Sequence, residues 1–391
     1  MKNEIKQELI GHIIPFWDSL TDNQNGGFYG YVGYDLGVDK NASKNAVIHS
    51  RILWFYANCC LVLKDKRYLK QAGHCYDFIM KHFFDREKEG VYWSVKADGS
   101  PDNPMKHVYA QSFMIYALAS YYDASGDSAA LDTAMELFKL IETLTADKIA
   151  YRECFDRDWN PADNHEMSEN GIKAEKSMNV VLHLIEAYTE LYRVGRDSRV
   201  AEKLKDLLAL TYDKIYDGSK RQLSVFFDND MNVLGNIHSY GHDIEASWLI
   251  GRALDIAKDA IPLELTQDIR RMNRDLVERI DVVAFCEDES GGLYYESDGG
   301  RVNKKRVWWA QSEGFVGFLN AYRLYGEKRY LDRADRLWGY IKAHVIDRRE
   351  GGEWYNELDK HDTPVKSLPV VDEWKCPYHN GRMALMALEL L

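Results

Sequence analysis

A short aromatic motif recurs six times along the chain. Such a repeat constrains the fold more than any local pattern, because each copy marks a supersecondary unit that must stack on its neighbours. The copies are GGFYGYV from Gly26, GVYWSV from Gly90, IAYRECF from Ile149, RQLSVFF from Arg221, GGLYYES from Gly291 and GGEWYNE from Gly351. They begin 64, 59, 72, 70 and 60 residues apart. Units of that size fill the 391 residues and leave no stretch for a linker, so one domain spanning 1–391 is expected.

Between the motifs each unit holds two helical patterns. One kind is amphipathic and charged, with apolar residues returning every three or four positions, as in Asp65–Phe83, Asp127–Leu144, Ser198–Tyr212 and Lys328–Val345. The other kind is apolar nearly all round: Val47–Cys60, Val108–Tyr122, Met178–Tyr192, Ile244–Ile256, Trp308–Leu324 and Met383–Leu391. A helix apolar on most sides is buried on most sides. Outer and inner helices in alternation close into an all-α (α/α)6 barrel of six helical hairpins, with short β segments in the loops at one end. An open solenoid would need polar terminal repeats, whereas the first and last units here carry the same motif as the middle ones.

The inner helices begin with polar residues that a buried setting does not tolerate without a partner or a purpose. In chain order these are His49 and Arg51, Tyr109 and Gln111, Asn179 and His183, His242 and Glu245, Gln311 and Glu313, and His379, Asn380 and Arg382. All follow their unit's motif by about 20 to 30 residues, so in a closed ring they converge at one end, the predicted pocket. His242 and Glu245 share a helical face at i, i+3, and Asn179 and His183 share one at i, i+4. Histidine titrates near about 6.5, so two of them can take and return protons near neutrality. Placed on opposite sides of a pocket, they suit proton removal from a carbon beside a carbonyl and its return on the other face, with a donor such as Arg51 steadying the oxygen charge. This is epimerase or isomerase chemistry.

Composition narrows the ligand. Lys and Arg total 50 against 62 Asp and Glu, a net charge of −12, which offers no electrostatic footprint for nucleic acid. Ten Trp and 25 Tyr, several near inner-helix starts (Tyr109, Trp308, Trp309, Trp374, Tyr378), supply flat walls of the kind that sugars pack against. His242-x-x-Glu245 has no second His/Cys cluster beside it and no nucleotide loop occurs, so neither metal nor cofactor is expected. The N-terminus lacks a secretory h-region and no run of about 18 apolar residues stands out, so a cytoplasmic protein with no membrane partner is expected. The cysteines Cys59, Cys60, Cys75, Cys154, Cys286 and Cys376 are scattered without C-x-x-C spacing, as reduced thiols are. The acidic run that begins at Cys286 reads as a solvated loop.

Four strings carry a resemblance. Lys375-Cys-Pro-Tyr-His-Asn-Gly-Arg382, Ser239-Tyr-Gly-His-Asp-Ile-Glu245, Val307-Trp-Trp-Ala-Gln-Ser-Glu313 and Asn45-Ala-Val-Ile-His-Ser-Arg51 resemble the N-acylglucosamine 2-epimerase superfamily, most closely its cellobiose 2-epimerases. The resemblance implies an (α/α)6 barrel that epimerises carbon 2 of the reducing-end glucose of a β-1,4-linked disaccharide, cellobiose or lactose, the latter giving epilactose. It implies His242 and His379 as the acid/base pair acting through a cis-enediolate, Arg51 as the group steadying that intermediate, and Glu245 and His183 as residues that orient the histidines or assist ring opening. Tyr109, Asn179, Trp308, Trp309, Trp374 and Glu313 then fall to substrate binding, with no metal and no cofactor, in a monomer or weak homo-oligomer.

Four other readings stay open. An aldose-ketose isomerase or an N-acylglucosamine 2-epimerase would use the same barrel and histidines. A glycoside hydrolase would need two carboxylates, for which Glu245, Glu313, Asp372 and Glu373 are candidates. A non-enzymatic sugar binder would use the tryptophans without the histidines.

Overall fold

The computed structural model describes residues 1–164, 171–285 and 290–391. The N-terminal segment is α1 (Lys2–Glu8), which runs through a π turn (Leu9–Ile13) into α2 (Ile14–Ser19). There follow α3 (Ala46–Leu63), α4 (Arg67–His82), α5 (Val108–Ser125), α6 (Ser128–Leu144), α7 (Met178–Gly195) and α8 (Ser198–Leu210). The last are α9 (Tyr240–Ile256), α10 (Leu263–Val283), α11 (Trp308–Tyr325), α12 (Lys328–Tyr340) and α13 (His379–Leu390).

The odd-numbered helices from α3 to α13 form an inner ring, each packed on the next, and α13 closes it by packing on both α11 and α3. The α1–α2 segment and the even-numbered helices from α4 to α12 make the outer ring. This is the (α/α)6 barrel that the repeat predicts. The helix α3 is long and apolar enough to cross a membrane, yet most of it is buried as an inner barrel helix. Cys59, Cys60, Cys75, Cys154 and Cys376 are buried free thiols, and Cys286 with the acidic residues after it lies outside the described residues.

The six motifs act as stitches between units. The residues just before five of the six inner helices pair antiparallel with the motif of the next unit: Lys44–Asn45 with Ser94–Val95, Lys106–His107 with Cys154–Phe155, and Lys176–Ser177 with Phe226–Phe227. Ile237–Ser239 pairs likewise with Glu296–Asp298, and Arg306–Val307 with Glu357–Leu358. A bridge between Val32 and Val371 ties the first unit to the last. The leading glycines are there for their backbone: Gly26, Gly90, Gly291 and Gly351 all take positive φ, a region open to Gly at little cost.

A second sixfold feature escaped the sequence analysis. Each inner helix is preceded by a buried basic residue, Lys44, Lys106, Lys176, His238, Arg306 and Lys375, none more than 4% exposed. Most reach a carboxylate: Lys44 to Asp22 at 2.8 Å, Lys106 to Asp85 at 3.2 Å, Lys176 to Asp147 at 2.6 Å, His238 to Asp243 at 2.7 Å, and Lys375 to Glu353. Asp22, Asp85 and Asp147 also accept backbone N–H groups two and three residues on, which shapes the turn entering each motif. The signal was available as a basic residue two positions before five of the six inner helices.

Removing one partner of such a buried pair leaves an uncompensated charge, which costs about 3–5 kcal/mol. Lys44→Met is therefore expected to lower stability by that order in denaturant unfolding, and Lys44→Met with Asp22→Asn to recover part of it. An unchanged midpoint for the single variant would contradict the pairing.

Candidate active site

Two inner helices start four residues before the apolar pattern suggests, α9 at Tyr240 and α13 at His379. Hydrophobic periodicity passes over a polar first turn, and those turns hold His242 and His379. Three of the other four starts are fixed by side-chain caps: Asn45 accepts from Val47 N–H, His107 from Tyr109 N–H and Ser177 from Val180 N–H, whereas α11 has no side-chain cap.

The inner helices share a register, capped or not. Arg51, His183, Glu245 and Glu313 are each the sixth residue of their helix, on α3, α7, α9 and α11. They form one layer across the barrel axis. On α5 that position is Phe113, whose ring lies 4.2 Å from the Arg51 guanidinium carbon and 4.7 Å from the His183 ring. The fourth residue faces outward instead. Gln111 clamps Val91 through both N–H and C=O, Gln311 does the same to Leu293, and His49 accepts from Phe28 N–H. Asn380 donates to Glu353. The polar layer expected to line one pocket thus divides. His49, Gln111, Gln311 and Asn380 hold motifs to helices, and the remainder surround the axis.

At the end where the inner helices begin lies a cavity of about 390 Å³, within the range of small-ligand sites. Its walls include Arg51, Tyr109, Asn179, His183, His242, Glu245, Trp308, Trp309, Trp374 and His379. Ten of the eleven residues to which the resemblance gives a role thus share one cavity. Glu313 is the exception. It sits fully buried behind the wall, with one oxygen accepting His379 Nδ1–H at 2.7 Å and Arg382 at 2.6 Å, and the other accepting the Trp248 indole N–H at 3.0 Å.

The two histidines share a neighbour. The Trp309 ring lies 4.7 Å from the His242 ring and 5.6 Å from the His379 ring. Gly241 permits this approach, since a Cβ there would come within 2.5 Å of the Trp309 ring. Trp308 is nearly buried, edge-on to His379 at 5.3 Å and covered by Lys375, whereas Trp309 and Trp374 keep partly exposed faces.

Burial holds both imidazoles neutral. For His242, burial and the nearby His183 bring the pKa down to about 3. For His379, burial followed by the charges of Arg382 and Arg51 pushes it well below its usual value. A neutral His379 that donates Nδ1–H to Glu313 keeps a lone pair on Nε2. His183 is set the same way by Glu186, at 2.8 Å.

Arg51 is a buried guanidinium with no carboxylate partner among the described residues. It donates to the Tyr109 hydroxyl at 2.8 Å and to the Trp374 carbonyl at 3.3 Å, and its Nε has no partner. Asn179 likewise has a side-chain oxygen without a partner. Glu245, Glu313 and His379 offer ligand atoms within 4.8 Å of one another, a spacing a metal could use, but the Arg382 guanidinium already bonds both carboxylates.

The cavity is also lined by Asp372, which the sequence offered as a hydrolase carboxylate, and by Lys305, Asn356, Phe226, Tyr295 and Leu368, which it did not single out. Phe226, Tyr295 and Asn356 lie in the motifs and the others in loops, whose direction no helical periodicity fixes. Glu186 looks like an ordinary member of an apolar helix, and Tyr378, expected as an aromatic wall, is instead fully buried beneath the floor.

Comparison with known proteins gives the family. Residues 27–379 match the N-acylglucosamine 2-epimerase (GlcNAc 2-epimerase) family. A cellobiose 2-epimerase of Ruminococcus albus is 48% identical over 98% of this chain and 97% of its own, and one of Dictyoglomus turgidum is 42% identical over 100% and 98%. The crystal structure of a sugar epimerase from a ruminal bacterium superposes with a TM-score of 0.96 at 47% identity, covering 100% of this chain and 98% of that one. The molecule is thus an enzyme, a carbohydrate epimerase built on an (α/α)6 barrel. The chain belongs to the N-acylglucosamine 2-epimerase family, in its cellobiose 2-epimerase branch.

Burial and the adjacent Glu313 carboxylate raise the Glu245 pKa, and Glu313 is raised as well, chiefly by burial. The pair is therefore expected to hold a proton at about pH 6, where an ordinary glutamate (about 4.3) is ionised. Infrared difference spectra should show a protonated carboxyl band at that pH that Glu245→Gln removes. Its absence from the unmodified protein would contradict the electrostatics of the site.

Proposed function

We propose that the enzyme epimerises carbon 2 of the reducing-end glucose of cellobiose, and of lactose to give epilactose, with the whole chain serving as one catalytic domain. The observation that carries this reading is a pair of neutral imidazoles, His242 and His379, lining one cavity and packed on one tryptophan. A neutral imidazole is a base, and two on one pocket suit removal of a proton from one face of a carbon and its return to the other. Relatives at 48% and 42% identity that are cellobiose 2-epimerases support the disaccharide.

The steps follow from the residues. Glu245, one oxygen held by Arg382, carries a proton to the ring oxygen as the reducing sugar opens, and His183, aligned by Glu186, takes the proton of the anomeric hydroxyl. One histidine then removes the carbon 2 proton, and the electron pair moves onto the carbonyl oxygen to give a cis-enediolate. Arg51, a fixed cation without a carboxylate, stabilises that charge as it forms. The other histidine, charged by a proton taken from solvent, delivers it to the opposite face of carbon 2, the first releases its proton to solvent, and ring closure returns the borrowed protons. Trp309 and Trp374 provide the partly exposed platforms, and Tyr109 and Asn179 provide polar contacts. On the same reading the enzyme works in the cytoplasm as a monomer or weak homo-oligomer.

Glycoside hydrolysis fits less well. It needs two carboxylates about 5 to 9.5 Å apart, whereas Glu245 and Glu313 are closer than that and share Arg382. Incubation with cellobiose, lactose, mannose and N-acetylglucosamine, followed by product chromatography, separates the alternatives. The expected product is an intact disaccharide containing mannose at its reducing end. Released monosaccharide contradicts the reading, and ketose as the main product makes the enzyme an isomerase. His242→Ala and His379→Ala should each lower turnover by about 10²-fold or more while leaving the fold intact.

A further inference from the structure

One guanidinium beneath the cavity contacts both halves of the site. Arg382 Nη1 donates to Glu186 at 2.5 Å and to the Tyr378 hydroxyl, while Nη2 donates to Glu245 and, at 2.6 Å, to Glu313. Glu186 in turn holds His183 at 2.8 Å, and Glu313 holds His379 at 2.7 Å. The side chain is 1% exposed, and its guanidinium carbon lies 4.2 Å from the Tyr378 ring and 4.8 Å from that of Trp248, so it cannot swing away. It does not line the cavity.

We infer that Arg382 is a positioning residue that yokes two carboxylate–histidine pairs, His183–Glu186 and His379–Glu313, so that a proton gained or lost on one side of the cavity is felt on the other. The inference deepens the epimerase reading, and its effect on turnover rests on that reading.

The charges explain why a yoke is needed. Three buried carboxylates face one fixed cation, and of its four Nη donations one goes to the Tyr378 hydroxyl, which leaves one for each carboxylate. Glu186, although buried, is held down to about 2 by Arg382 first and by His183 next. Glu245 and Glu313 take the remaining share and are left raised, with burial dominant in both. Other titratable or charged groups near this centre are Tyr116 on α5, Arg51 on α3, and Tyr378 and His379 beside Arg382 itself. An epimerase that works in both directions must trade protons between two sides of one substrate. A shared cation lets carboxylates on both sides respond together.

Two signs follow. Removing the cation should strengthen proton binding by Glu245 and Glu313. Removing the charge of Glu186 should weaken it, because the fork is then free to serve the other two, although no hydrogen bond joins Glu186 to either.

The test is the infrared titration midpoint of the Glu245/Glu313 carboxyl, measured with the pH profile of kcat/KM on cellobiose. Arg382→Gln should raise the midpoint by about one pH unit or more. Arg382→Lys keeps the charge but not the fork. It should leave the midpoint within about half a unit while lowering kcat about tenfold or more. Glu186→Gln should lower the midpoint, and the alkaline limb of kcat/KM should move with it. A purely structural role would reduce kcat in all three without moving any midpoint, and that result overturns the yoke. If Arg382→Gln fails to fold, Arg382→Lys and Glu186→Gln still decide. Should the unmodified enzyme turn over no sugar while the midpoints shift as stated, the epimerase reading fails and the yoke stands.

Discussion

Six helices that begin inside a protein bring into its interior the polar groups of their first turns, and those groups must be paired or used. The architecture follows from meeting that demand six times. The fourth residues of α3, α5 and α11 spend their polarity on the motifs, as His49, Gln111 and Gln311 do on Phe28, Val91 and Leu293. The sixth residues of α3, α7, α9 and α11 turn toward the axis instead. There His183 pairs with Glu186, and Glu245 and Glu313 pair with Arg382, while Arg51 is left without a carboxylate among the described residues.

Charge balance at the axis then sets the chemistry. Two cations of different character sit there. Arg382 bonds three carboxylates through its two Nη atoms and orders the floor, whereas Arg51 bonds a hydroxyl and a carbonyl and lies against aromatic faces. A guanidinium held by carboxylates orders them, and one without a carboxylate attracts an anion. The histidines, kept neutral by burial, stand between the two as bases. The same low dielectric that makes unpaired groups costly strengthens each of these interactions toward a reacting oxygen.

Much of this was legible from the residues. A period of about 65 residues and the contrast between apolar and amphipathic helices were enough for the barrel, since both are long-range regularities that local context cannot erase. The helix starts at Tyr240 and His379 were less legible because polar first turns break the apolar period. Glu313 read as a pocket residue by its level, but level does not specify direction around a helix, and it points behind His379. The yoke formed by Arg382, Glu186 and Tyr378 could not be read at all. Glu186 and Arg382 stand 196 residues apart, and only closure of the ring brings α7 and α13 together.

The account rests on a carbon-bound proton passing through solvent-exchangeable imidazoles at carbon 2 of the sugar. Turnover of cellobiose in heavy water, followed by magnetic resonance of the epimer, tests this most directly. The account predicts solvent deuterium at carbon 2 of the reducing-end residue of the epimer. Product formed at full rate with its original hydrogen still at carbon 2 would contradict it.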